Sequence, residues 1–410
     1  MTDRALSTQC CIAGGGPAGI MLAYLLARSG IDVVVLEKHA DFFRDFRGDT
    51  IHPSTLQLMD ELGLLDDLLK IPHSELQELT GNIGGEQIAI GDFSRVPGRC
   101  KFIAFMPQWD FLKFLSEKAR AFPGFHLEME AEATDLVSHD GRVAGVRAST
   151  PRGPLTVSAG LVVACDGRHS TLRERAQLQV IDEGAPIDAL WMRISHAPND
   201  PGQTFGTIVP GCVFVTIDRR DYYQCAMVIH KGGFAEIQSR GIDAFRNQIA
   251  EIAPYLADRV HELREWDDIK LLTVMVDHLQ QWYRPGLLCI GDAAHAMSPI
   301  GGVGINLAIQ DAVAAANLLT EPLRRGHVSN ANLDAVQHRR EFPMRVIQRM
   351  QLFIQDRVLR RVISTKNAIR LPRMIRWLAS IAAVRRALAY FVGVGVRPEH
   401  ASVARGLPNN

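Results

Sequence analysis

Glycines with acids set among them hold most of the chemistry open to this chain, in two segments about 270 residues apart. The first is Cys11-Ile12-Ala13-Gly14-Gly15-Gly16-Pro17-Ala18-Gly19. An apolar run from Gln9 to Ala13 leads into it, and a helical pattern from Met21 to Arg28 leaves it. That is the strand, turn and helix setting in which a G-x-G-x-x-G pattern binds a pyrophosphate. There Gly14 makes the turn, Gly16 lets the backbone approach the phosphates, and Gly19 lets helix and strand pack closely. The first helical turn, with Ala18 in it, presents free N–H groups and a positive dipole end to the anion. A second strand, Asp32 to Leu36, ends at Glu37, close to the ~20 residues beyond Gly14 expected of an acid that accepts ribose hydroxyls. With its neighbour Lys38 it marks the adenosine end, and its charge would repel a 2′-phosphate.

The second segment is Leu287-Leu288-Cys289-Ile290-Gly291-Asp292, a buried strand ending in a carboxylate that can accept a hydrogen bond from a sugar-like hydroxyl. Behind it Pro299 breaks the chain, and Gly301, Gly302 and Gly304 leave room for a ligand ring. A helix starting near Gly304-Ile305-Asn306 would aim its dipole at that ring. In a flavin this suits the N1–C2=O edge, which becomes negative on reduction. A nicotinamide dehydrogenase needs only the first segment. The pair points to FAD.

A third segment, Ala164-Cys165-Asp166-Gly167-Arg168-His169-Ser170-Thr171-Leu172-Arg173, completes a pattern. With the three in this order, the chain resembles the single-component FAD-dependent aromatic monooxygenases of the p-hydroxybenzoate hydroxylase class over about its first 345 residues. The resemblance implies an α/β fold: a Rossmann-like FAD-binding domain of the GR2 type, interrupted by a β-sheet substrate domain and followed by a helical C-terminal tail. It places the ADP half of FAD on the first motif and the ribityl chain on Asp292. Asp166 and Gly167 would serve both FAD and a transiently docked NADH or NADPH. Arg47 and Gln108 fall where the family has pyrophosphate and ribityl contacts, and Pro299 where it has a wall beside the oxygen-reacting face. The implied cycle passes through a C4a-hydroperoxyflavin that hydroxylates an aromatic or polyketide-like small molecule with O2. The alternatives are a flavin oxidoreductase without oxygen insertion and a flavin-folded binding protein that has lost turnover. One departure is Val303, where the family often has Gln. The Trp-x-Trp-x-Ile-Pro signature of flavin halogenases is not matched by Leu190-Trp191-Met192-Arg193-Ile194-Ser195.

Substrate groups should come from the interrupting sheet. Arg193, His196, Tyr222, Tyr223 and His230 can hydrogen-bond a ring hydroxyl. Arg193 leads because it interrupts an apolar strand and alternation sets it on the face of Trp191, with a structural ion pair as the competing role. His295 reads as structural support, not as a base.

The elements that must position these residues are legible in outline. Residues 1–75, 101–184 and 276–345 read as the FAD domain, 76–100 and 185–275 as the substrate sheet, and 346–410 as the helical tail. Helices are expected over Pro53–Leu69, Gln108–Ala121, Phe245–Leu256 and Asn306–Leu319. A strand meander spans Leu127–Val157 with a turn at Asp140-Gly141, and Leu161–Ala164 and Gly286–Gly291 are separate buried strands. The apolar tail Met374–Val396 carries Arg385 and Arg386 in its middle. A helix packed on the substrate domain or on a second subunit is favoured there over one lying on a membrane surface.

Lysine plus arginine and aspartate plus glutamate balance at 45 each, so no nucleic-acid partner is indicated. The seven cysteines are scattered without C-x-x-C pairs, so no metal site or disulfide framework is expected. With no signal-peptide pattern at the start and no run of ~20 uncharged apolar residues, the expectation is a cytoplasmic enzyme, monomeric or homodimeric.

Overall fold

The structure is a computed structural model that describes residues 4–43, 50–201, 205–365, 367–369 and 371–402. Strand β1 (Arg4–Ala13) runs into helix α1 (Pro17–Arg28) and back through β2 (Val33–Glu37). Every residue of β2 is buried, as its β-branched run requires of a strand covered on both faces. Helix α1 has Pro17 in its first turn and buries Ala18 to Ala27 without a break. The sheet continues with β3 (Phe125–Met129), β4 (Glu132–His139), β5 (Arg142–Thr150) and β6 (Gly153–Ala164), the last leading to helix α2 (Thr171–Arg175). At the β4–β5 turn Asp140 and Gly141 both take positive φ, 48° and 73°, the twist a two-residue hairpin favours. The expected separate strand Leu161–Ala164 is instead the end of the 12-residue β6, which lies along β1 for its whole length.

A second sheet is built on β7 (Ile187–Ser195), β8 (Cys212–Asp218) and β9 (Tyr222–His230). Its full order is Lys270–Leu272, β7, β9, β8, Phe205–Val209, Glu78–Ile83 and Glu86–Asp92. The chain then returns to the first sheet through β10 (Leu287–Cys289), followed by α3 (Gly304–Arg324) and α4 (Asn330–Ile354). The first sheet is ordered Tyr283–Arg284, β10, β6, β1, β2, β3, with β5 and β4 added beside β6. Helices α5 (Arg373–Ser380) and α6 (Ala382–Gly393) close the chain against strand Glu86–Asp92. The segment Ile300–Arg324 is long and apolar enough to cross a membrane, but 78% of its apolar window is buried inside the protein.

One expected helix is two. Pro53–Leu69 divides into Pro53–Glu61 and Leu65–Leu68. Gly63, at φ 73°, donates to Asp60 O at 3.0 Å, and Leu64 donates to Met59 O at 2.8 Å. That left-handed glycine closes a helix C-terminus, which apolar periodicity alone does not register. Strands Phe205–Val209 and β8 are likewise joined into a hairpin by a turn at Gly211, φ 77°. All seven cysteines are free, and six are fully buried. Burial pushes the Cys11 and Cys212 thiols up to about 12, which keeps them inert at neutral pH.

Candidate functional site

Three segments far apart in sequence emerge at one edge of the first sheet. Ala13 pairs with Leu36 on one side and Ala164 on the other, and Ala164 pairs with Cys289. The ladder runs one residue further: Gly14 donates to Leu36 O at 2.8 Å, Cys165 to Ala13 O at 2.7 Å and Ile290 to Ala164 O at 3.1 Å. Glycine is required where the segments touch. A Cβ on Gly14, which sits at φ 106°, would lie 2.3 Å from Cys165 O, and one on Gly19 would lie 2.0 Å from Gly14 O. A Cβ on Gly16 would meet nothing within 4 Å, so that glycine borders open space at the start of α1.

The first turn of α1 has no side-chain cap and no acid, and the same holds for α3. By contrast Ser329 and Asn332 close a full capping box on α4. The two open helix starts leave N–H groups for an anion or a polarised ligand edge. Ala18 and Ala308 press on Gly291 from α1 and α3; either Cβ would be 3.2 Å from a Cβ added there. Ile305 is buried beside them, Gly304 is half-buried, and Lys38 and Pro299 are exposed.

The acids at the strand ends behave differently. Glu37 is buried, and its two oxygens accept the Gly15 N–H at 2.9 Å and the His39 N–H at 3.0 Å. Asp292 is about one-third exposed, with Arg168 Nη2 3.5 Å away. Asp166 turns inward: its oxygens accept the Ser170 hydroxyl at 2.5 Å and the Leu172 N–H at 3.1 Å. Burial raises its carboxyl above the usual carboxylate range. Its neighbour Gly167 turns the chain at φ 86°. Asn306 is also committed, accepting from His52 N and the Thr55 hydroxyl and donating to Thr50 O and Gly302 O. Thr50 donates to Gly302 O at 2.8 Å and would clash with any Cβ on Gly302. Gln108 stands half-buried at the start of helix Gln108–Ala119. Arg47 lies outside the described residues. Arg168 Nε is buried with no partner among the described residues. The open helix starts, the space at Gly16, the outward Asp292 and this orphaned N–H form a donor and acceptor set that fits FAD.

Behind the edge lies a network that sequence reasoning missed. His295 Nε2 meets Asp311 Oδ2 at 2.6 Å, and the same oxygen accepts the Gly291 N–H at 3.1 Å. Arg340 Nε donates to Asp311 Oδ1 at 2.9 Å, and Arg340 reaches Glu399 at 3.4 Å. Burial drives the Asp311 carboxyl up, but the His295 and Arg340 charges and hydrogen bonds outweigh it and leave it below the usual range. An acid within the apolar face of α3 was the one local signal available. His295 is thus a strut under the Gly291 turn, packed on Trp282 at 5.0 Å between ring centroids.

The second sheet sorts the substrate candidates by face. Trp191, Arg193, Tyr222 and Gln224 share one face, as the β7–β9 register sets Arg193 opposite Gln224 and Trp191 opposite Ala226. Tyr223 lies on the other face and donates to Pro201 O at 2.5 Å, with the His196 ring tilted against it at 4.8 Å between centroids. His230 is exposed at the end of β9. Arg193 is exposed, its guanidinium lies 3.9 Å over the Tyr222 ring, and it makes no ion pair among the described residues. The face that holds it packs at one end on Ile300, next to Pro299. At its other end it packs on Phe105, whose strand pairs with Thr50. Arg193 lies beyond Trp191, at the Phe105 end of this face. Gln224, which the sequence did not single out, is buried there; Arg219 donates to its Oε1 at 3.3 Å, and its Nε2 has no partner among the described residues. Trp191 Nε1 is likewise without one.

Residues 7–350 match the family model described as FAD binding domain. The 6-methylpretetramide 4-monooxygenase of Streptomyces rimosus is 34% identical over 397 residues, covering 93% of this chain and 91% of the relative. The 12-dehydrotetracycline 5-monooxygenase/anhydrotetracycline 6-monooxygenase of Streptomyces rimosus subsp. rimosus is 28% identical over 330 residues, 74% of this chain and 60% of its own length. Among solved structures, the p-nitrophenol 4-monooxygenase PnpA from Pseudomonas putida DLL-E4 shares the fold at a TM-score of 0.76 and 19% identity, over 96% of this chain and all of that one.

Asp311→Ala leaves Arg340 and His295 buried without their shared partner, and should destabilise the protein by about 3–5 kcal/mol. Because the Asp311 carboxyl is held low, its contribution is present above the unfolded value of about 3.9 and fades as pH falls through the lower folded value. Urea unfolding of wild type and Asp311→Asn should therefore show a stability gap at neutral pH that narrows below about pH 4. A gap that is absent at pH 7, or that widens on acidification, contradicts this role.

Proposed function

The chain belongs to the FAD-binding-domain family of flavin-dependent aromatic monooxygenases, and on that premise we propose that it hydroxylates a fused-ring, polyketide-like phenol, with NADH or NADPH as a transient reductant. The observation that carries the substrate class is the 34% identity, across nine-tenths of both chains, to an enzyme named for 6-methylpretetramide. On this reading residues 1–75, 101–184 and 276–345 form the cofactor domain and 76–100 with 185–275 the substrate domain. The enzyme works in the cytoplasm, where nicotinamide is supplied.

Each residue then has a task. Backbone N–H groups of Gly16, Ala18 and Gly19 hold the pyrophosphate at the α1 start. Glu37 uses the lone pairs left by Gly15 and His39 for the adenosine ribose. Asp292 accepts from the ribityl chain, with Arg168 beside it, and Gln108 takes the ribityl contact that the resemblance implies. Asp166 acts through shape, capping α2 so that Gly167 can turn the chain. Bound FAD supplies hydride acceptance from NAD(P)H and activation of O2 for transfer of one oxygen atom. The N-terminus of α3, at Gly304 and Ile305, stabilises negative charge on the ring edge. Asn306 holds the Gly302 carbonyl and Thr50 in place, and Pro299 walls the reacting side and excludes water. Across from it, Trp191 offers a flat apolar surface. Arg193 and Gln224 offer donors to phenolate or carbonyl oxygens of the substrate.

Incubation with NADH or NADPH, ¹⁸O₂ and 6-methylpretetramide should give a product heavier by one ¹⁸O atom, with nicotinamide oxidised in step. Flavin turnover that yields only hydrogen peroxide and unlabelled substrate would move the chain to the non-inserting oxidoreductases. Arg193→Met should raise the apparent KM by roughly tenfold, the scale of one lost charged hydrogen bond, with FAD content and thermal midpoint unchanged. An unchanged KM removes Arg193 from the substrate site.

A further inference from the structure

Helix α5 lies on the surface with apolar as well as polar side chains exposed. Arg373, Arg376 and Ser380 share one arc at helical spacing, while Met374, Ile375, Trp377 and Leu378 fill the rest of the circumference. Its least exposed residues are Leu378 and Ala379, and Arg376 Nη2 bonds Glu86 at 3.0 Å on the outer strand of the second sheet. Arg373 is exposed, and so is most of the apolar arc, with Met374 66%, Trp377 63% and Ile375 44% exposed. No residue of α5 is buried. Helix α6 extends the surface. Its Arg386 pairs with Asp92 at 3.2 Å and its Ala389 packs on Gly91, while Leu388 and Tyr390 stay 46% and 48% exposed. Arg385 fixes the corner between the helices by donating to Ala379 O at 3.0 Å and to Ser380 O.

Charge sharpens the picture. From Arg357 to Arg397 the sequence has ten arginines or lysines and no acidic residue, in a chain whose charges cancel overall. Among the described residues Glu86 pairs with Arg376, Asp92 with Arg386 and Asp356 with Arg360, which leaves Arg373 exposed without a salt bridge. A contiguous exposed apolar face marks an interaction site. Tryptophan and aliphatic side chains beside unpaired cations match the interface between the acyl and headgroup layers of an anionic bilayer. A second copy fits poorly, because a two-fold contact sets the same cations against one another. We propose that α5 and α6 seat the protein on an anionic lipid surface. Met374, Ile375 and Trp377 enter the headgroup boundary, and Arg373 and its neighbours meet lipid phosphates.

The test is co-sedimentation of the full-length, FAD-loaded protein with vesicles of equal parts phosphatidylglycerol and phosphatidylcholine, and with phosphatidylcholine alone. Binding is expected to the anionic vesicles only, weakened by high salt, with a blue shift in tryptophan emission that Trp377→Ser removes. The pair Met374→Ser and Trp377→Ser should bind at least about tenfold more weakly, and Arg373→Glu should weaken binding too, with FAD content retained. The proposal falls if neither vesicle binds, if both bind equally, or if the double variant binds as wild type does. It falls equally if light scattering shows a dimer that the double variant abolishes, or if the face holds an acidic protein but no vesicle.

Discussion

Four parallel strands end level with one another, and the site depends on that alignment. Leu36, Ala13, Ala164 and Cys289 form one row across the first sheet, and the backbone bonds of Gly14, Cys165 and Ile290 carry the ladder a residue beyond it. A side-chain period of two makes strand register unforgiving, since a slip by one residue turns every side chain to the opposite face. With the register held, Glu37, the Gly14–Gly19 turn, Asp166 and Asp292 all leave the sheet from the same edge. The open crevice beyond the carboxyl ends of parallel strands is where α/β folds place ligands. Here the crevice receives the two uncapped helix starts, one from α1 and one from α3.

What keeps this edge rigid is the polar inventory behind it. Asp311 on α3 joins the Gly291 turn to Arg340 on α4, and through it to Glu399, so both helices and the strand end move as one body. Asn306 does similar work at the start of α3, tying it to Thr50, His52 and Thr55. A buried charge is tolerated only when its hydrogen-bonding groups are matched, and Asp311 has three donors on two oxygens. The acids that are satisfied internally, Asp166 and Asp311, shape the cavity. Asp292 is left partly exposed beside Arg168. The same division runs through the second sheet, where Tyr223 is consumed in its own layer while Arg193 and Gln224 lie on the opposite face.

The strand–glycine–helix segments were legible in the sequence because their signals are local: a few residues fix turn, strand and helix start together. That was enough for the α/β fold and for FAD as the cofactor. The Arg193–Trp191 face was legible as well, from alternation alone. Gly63 was harder, because the periodicity of Leu56, Met59, Leu62, Leu65 and Leu68 continues across a left-handed break. The internal partners of Asp166 and Asn306 were not legible, because which way a short polar side chain turns depends on Ser170, Thr50 and His52. Asp311 and Arg340 could not be paired from sequence, since the partners lie on separate helices and no spacing rule links them. The outward apolar arc of α5 was hidden for a related reason: a helical pattern gives the stripe but not the side on which the protein lies.

The central claim is that this edge is built for a dinucleotide flavin, with the α1 turn and Glu37 addressing an adenosine diphosphate. Titration of the apoprotein with FAD and with FMN, followed by quenching of flavin fluorescence, tests it directly. The account predicts tight binding of FAD, recovered intact on denaturation, and binding of FMN weaker by several orders of magnitude. Equal affinity for the two flavins, or preference for FMN, would show that the Gly14–Gly19 turn and Glu37 do not hold the cofactor, and would contradict the account.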